Sequence, residues 1–235
     1  MFDLPTLFLL ITAALIAVVN PVVVGLFVLT ISVMLGTGHS AGRLLSRGIV
    51  YLTTIFVMYL LVGFGLLYAC AILPTILVEY IRLAVAILAI LAGLAEVKAY
   101  FWPDATGFGL HISERLTKKI HNHANNKPTY GGMITLGLLV ASAQSLSIGV
   151  PYMIVISLLP TDLGAGTLGL LGLYNLIFIL PLFILLISIA NGTKISAAQK
   201  WKESHKYTVH LLIGLCFITL GWLLILMTNG AIQLG

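Results

Sequence analysis

The chain has 235 residues, 60% of them hydrophobic and 8% charged, with a mean hydropathy of +1.12. A soluble domain carries roughly 25% charge, so this composition excludes a water-soluble monomer and points to an integral membrane protein. The net charge of +5 is no nucleic-acid signal, because the basic residues sit in short segments between apolar runs, and two cysteines in apolar surroundings exclude a secreted disulfide scaffold.

The first apolar run, Leu7–Gly36, follows an N-terminus with no basic region and with Asp3, so it reads as a retained membrane span and not a signal peptide. It exceeds the roughly 20 residues that cross a bilayer, and "VVNPVV" lies inside it. Proline deletes one helical hydrogen bond and collides with the carbonyl four residues back, so Pro21 frees the Ala17 carbonyl. A break at Asn20–Pro21 absorbs the excess length. The second run, Gly48–Ile72, follows Arg43 and Arg47 and contains Cys70.

The third run, Tyr80–Val97, has Arg82 near its start and Glu96 with Lys98 at its end. The long side chains at that end snorkel to the interface. Glu96 is also a candidate proton relay, because ionisable groups inside membranes often serve function. In the connector "HISERLTKKIHNHA", Ile112, Leu116 and Ile120 recur every four residues beside basic side chains. That spacing predicts a short amphipathic helix on the inner leaflet. His111, His121 and His123 share this connector, but no cysteine or acidic pair completes a metal set.

The fourth run, Gly132–Leu159, contains "SAQSLSIGVPYM", an unusually polar stretch in which Pro151 frees the Ser147 carbonyl. The fifth, Leu168–Ala190, contains Asn175 and Pro181, and "NGT" at Asn191 fits a glycosylation sequon on a side where it is not used. Ser196 and Gln199 have the spacing of a capping box ahead of the last span. The sixth run, Tyr207–Thr228, carries His210 and Cys216.

Of the 12 Lys and Arg residues, all but Arg82 fall in the segments between runs one and two, three and four, or five and six. The positive-inside rule makes those loops cytoplasmic and both termini extracytoplasmic. The expected fold is therefore all-α and polytopic: six transmembrane helices in a single domain, as two inverted three-helix repeats (about 1–101 and 132–235) joined by a cytoplasmic loop (102–131). Unpaired backbone groups are tolerated in a membrane only where protein or a wet cavity covers them. Interrupted helices at matching positions of two inverted halves point to a transporter-like central site. The expected central cavity, between the first and fourth helices, takes Asn20, Pro21, Val22, Gln144, Ser145, Ser147, Pro151, Asn175 and Pro181. No nucleotide loop, nucleophile–histidine arrangement, zinc motif or other cofactor motif is present.

At these same residues the chain resembles the CcdA/DsbD transmembrane family, the membrane thiol–disulfide carriers of cytochrome c maturation. The likeness runs through "NPVVVGLFVLT", "GLAEVKAYFW", "LGLLVASAQSLSIGVPYM" and "LYNLIFILPLFILL", and so covers nearly the whole chain. The resemblance implies a prokaryotic inner membrane, a thioredoxin-like electron donor, and a dithiol with one cysteine in each broken helix. Those cysteines fall on Val22 and Ser147, neither of which supports thiolate exchange. Cys70 and Cys216 replace them only across a depth difference of about 20 Å, whereas a disulfide needs Cα atoms within about 7 Å. The reading is thus a non-redox member that moves a small solute. Transmembrane electron transfer and a structural or assembly subunit are the alternatives.

Overall fold

The computed structural model of the chain describes residues 4–36, 40–102, 118, 129–160 and 163–229. Among these the protein is all-helical, with no strand. Its helices are α1 (Leu4–Val19), α2 (Pro21–Gly36), α3 (Ala41–Ile72), α4 (Thr75–Phe101), α5 (Tyr130–Leu158), α6 (Ala165–Ala190) and α7 (Ile195–Thr228). Among the described residues, four helices are long and apolar enough to cross a membrane, α7 through its Tyr207–Thr228 part. There are six such spans if two bent pairs each count as one: α1 with α2, and the two halves of α5, Tyr130–Ser145 and Ile148–Leu158. The amphipathic connector segment, with His111, His121 and His123, lies outside the described residues.

The polarity of the bundle is inverted relative to a soluble protein. Large apolar side chains such as Phe8, Leu61, Leu91, Ile184 and Trp222 are exposed on the outside. Asn20, Thr30, Glu96, Gln144, Thr167 and Asn175 are buried inside. In water such an apolar exterior is untenable, whereas in hydrocarbon it matches the solvent and the polar groups must turn inward. The apolar helices and this exterior give the chain the character of a multi-pass membrane protein.

Side-chain contacts fix the helix directions. Tyr59 packs on Phe178 and Gly63 on Leu171, so α3 and α6 run antiparallel. Thr54 meets Gly137 and Gly63 meets Tyr152, so α3 and α5 run parallel. The α4–α7 pair has the most extensive contact and is antiparallel, with Gly93 on Gly214 and Ala86 on Gly221. At that crossing a Cβ on Gly93 would stand 2.6 Å from the Gly214 carbonyl oxygen, and one on Gly214 would stand 2.7 Å from the Gly93 carbonyl oxygen. Lipid gives helices no hydrophobic reason to associate, so close backbone approach over small residues carries the contact.

One local expectation changes, and a second segment takes a structural role. The last helix begins at Ile195 with Lys194 in the cap position and no side-chain cap. Exposed Ser196 is therefore already inside the helix and does not initiate it, because the connector continues without interruption into the span. "NGT" terminates α6: Gly192 takes φ +98°, its N–H donates to the Ile189 carbonyl at 3.0 Å, and the Thr193 N–H donates to Ser188 at 3.0 Å. This is a Schellman cap, whose left-handed position favours glycine.

Candidate functional site

Asn20 is the residue between α1 and α2, whose axes differ by 51°. Its Oδ1 accepts a hydrogen bond from the Val22 N–H at 2.9 Å, and its carbonyl accepts from Val24 at 3.2 Å. Asparagine at the N-cap with proline in the first helical position is a favoured helix start, so Asn20 and buried Pro21 begin α2 as a new helix. Half-buried Val22 packs against the apolar core.

On α5, Gln144 is 1% exposed and its Oε1 has no hydrogen-bond partner. Ser145, the next residue, is exposed, and its hydroxyl donates to the Ser142 carbonyl of its own helix at 2.6 Å. The Ser147 side chain lies outside the described residues. Pro151 is buried within α5, and Pro181 is half-buried within α6.

Asn175 on α6 is 1% exposed. Its Nδ2 donates to the Leu171 carbonyl at 2.8 Å and to the Tyr152 hydroxyl at 3.3 Å, while its Oδ1 has no partner. The Tyr152 hydroxyl donates in turn to the Tyr59 carbonyl, and the Tyr59 hydroxyl donates to the Ala141 carbonyl at 3.1 Å. This relay ties α6 to α5 and α5 to α3. Aromatic contacts reinforce it, with Tyr152 and Tyr174 at 5.3 Å between ring centroids and Tyr59 and Phe178 at 5.7 Å. Gly63 lies against the Tyr152 hydroxyl, where any Cβ would exclude it.

The interior therefore holds three buried amides on three segments. They make no hydrogen bond to one another, and two of them keep an unused acceptor. A buried unsatisfied acceptor costs about 1–3 kcal/mol. Each of the three amides is a neutral hydrogen-bonding group.

The second polar feature joins α4 to α7. The Glu96 carboxylate meets the His210 ring through Oε2 and Nδ1, with side chains 7% and 15% exposed. One turn away lies the Gly93–Gly214 crossing. Both cysteines are free thiols and half-buried. Cys70 lines a cavity of about 150 Å³ between α3, α4 and α5, which none of the expected central-cavity residues lines. Among the described residues, no three His, Cys, Asp or Glu side chains group closely enough to hold a metal ion.

Reading the sequence missed Tyr59, Tyr152 and Tyr174, the pairing of Glu96 with His210, and Arg82 at the cavity. Tyr152 had a usable signal, its position directly after Pro151 in the polar stretch. The pairing also had one, since Glu96 ends one run and His210 begins another at the level assigned to the cytoplasmic side. No family model, curated protein or solved structure matches the chain.

Proposed function

We propose that the chain is a CcdA/DsbD-like inner-membrane carrier that has exchanged the family's dithiol for a neutral hydrogen-bonding site, and that it moves a small polar solute by alternating access. The observation that carries this reading is the pair of buried, unpartnered amide oxygens, Gln144 Oε1 and Asn175 Oδ1. Groups that lipid and protein leave unsatisfied are explained by a solute that supplies the donors. Asn20 stands at the start of a helix whose N-terminal amides favour the electron-rich end of such a solute.

The contact pattern supports two inverted halves. The first span meets the fifth and sixth through α1–α6 and α2–α7, and the fourth meets the second and third through α3–α5 and α4–α5. A two-fold axis in the membrane plane exchanges these pairs and leaves α3–α6 and α4–α7 self-matched. Pro21 and Pro151, placed at the start of each half, are the reading's source of the helix breaks. The basic loops set the orientation, cytoplasmic for the three loops and extracytoplasmic for both termini. The Glu96–His210 pair is the ionisable group that such a cycle would use to exchange a proton.

The test is site-directed labelling in a Cys70→Ser/Cys216→Ser background, with single cysteines at positions 20, 144 and 175 and a lipid-facing control at 91. A small, membrane-impermeant thiol reagent is applied to vesicles of each orientation. The reading expects modification at 144 and 175 from water and protection at 91. Complete protection of 20, 144 and 175 from both sides removes it.

A further inference from the structure

The cavity of about 150 Å³ lies where the short Leu73–Pro74 turn between α3 and α4 meets the C-terminal end of α5. Leu66, Leu73, Val78, Val85, Met153 and Ile156 give it apolar walls, and Arg82 and Ser157 are its polar members. Arg82 is half-buried, and its Nε is buried without a hydrogen-bond partner. Glu79, one turn earlier on α4, is exposed and forms no ion pair with it.

An arginine near a helix end ordinarily buries its stem and sends the guanidinium into water. Here part of the guanidinium itself is buried against apolar walls, where an unpaired charged donor is costly. The depth indicates what supplies the partner. Arg82 lies seven residues into α4, about 10 Å from its start, and exposed Tyr68 and Tyr80 flank the same end of the bundle. Exposed tyrosines at a helix end mark the headgroup level of a bilayer. The walls reject a free phosphate, which gains nothing from apolar contact. An apolar cavity of this volume is comparable to one that holds a benzene-sized guest, enough for a segment of an acyl chain.

We propose that this groove binds one anionic phospholipid, its phosphate on Arg82 and part of an acyl chain between Val85, Met153 and Ile156. The inference is independent of the carrier reading, since it rests on different residues at a different place in the bundle.

The experiment is native mass spectrometry of the delipidated full chain. It is titrated with phosphatidylglycerol or with phosphatidylcholine of identical acyl chains, with free inorganic phosphate as competitor. The wild type is expected to bind one phosphatidylglycerol roughly tenfold more tightly than phosphatidylcholine, the size of one charge-assisted contact, and free phosphate should not displace it. Arg82→Gln should abolish that preference and Arg82→Lys should keep part of it. Ile156→Trp, which fills the groove and retains the arginine, should weaken both lipids together. An unchanged preference in Arg82→Gln, unchanged binding in Ile156→Trp, or displacement by free phosphate overturns the proposal. Thermal unfolding of each variant in the same detergent confirms that folded protein is compared.

Discussion

Glu96 on α4 and His210 on α7 face each other inside the bundle, one turn from the point where Gly93 and Gly214 bring the two backbones together. The close crossing and the polar pair depend on each other. Without glycine at the contact the helices separate, and without a partner each polar group is stranded in an apolar interface. Breaking a buried pair by deleting one member costs about 3–5 kcal/mol, because the survivor stays buried and unpaired, while replacing both members with apolar residues is often nearly neutral. Glu96→Leu and His210→Leu should therefore each destabilise strongly, and Glu96→Leu/His210→Leu should recover most of the loss. Equilibrium unfolding of the four proteins in detergent gives the cycle, and simple addition of the two losses would show that the pair is not coupled.

Gly93→Val and Gly214→Val act on the same crossing through sterics alone. A Cβ at either position stands within 2.7 Å of a backbone carbonyl oxygen, which cannot rotate away as a side chain can. Overpacking of this kind costs about 1–3 kcal/mol. Gly65 has nothing within 4 Å of its missing Cβ and faces outward, so Gly65→Val supplies the control. Thermal melts should rank both crossing variants well below it, and equal melts would mean that α4 and α7 are not held by close packing.

Two of the buried tyrosines, Tyr152 and Tyr174, invite opposite results from one substitution. The Tyr152 hydroxyl donates to Tyr59 and accepts from Asn175. The Tyr174 hydroxyl is buried and has no partner. Polar contacts between membrane helices average about 0.6 kcal/mol and reach about 1.7, so Tyr152→Phe should lose about 1–2 kcal/mol. Tyr174→Phe removes an unsatisfied group and should be neutral or stabilising. Comparison of the two by denaturant unfolding checks the relay directly, and a Tyr174→Phe loss as large as that of Tyr152→Phe would refute it.

The sequence was most legible where lipid imposes a single requirement. Long apolar runs must be helices, and amides within them must turn inward, which is why Asn20, Gln144 and Asn175 are all buried. Hydroxyls escape that rule. Ser145 satisfies its own oxygen on the carbonyl of Ser142 and faces outward, although it lies beside Gln144. Aromatic residues carry a weaker signal: Tyr59 is interior while Tyr68 and Tyr80 are exposed, and nothing local separates Tyr59 from them, whereas Tyr152 is marked only by following Pro151. The Glu96–His210 pair and the Arg82 groove depend on which helices touch and in what register, information that lies in packing between segments distant in the chain.

Asn20 separates the two roles that a polar residue at a helix break can play. Its Oδ1 already holds the Val22 N–H, so part of its contribution is purely structural. Loss of an N-cap costs about 1 kcal/mol, so Asn20→Ala should lower stability by that amount, while Asn20→Ser and Asn20→Asp, which keep a cap acceptor, should stay within about 0.5 kcal/mol of the wild type. Unfolding midpoints measure this. A loss in Asn20→Ser equal to that in Asn20→Ala would contradict the capping role. Because Asn20→Ser spares the cap and removes only the amide, it is also the variant in which solute movement should fall while the fold persists.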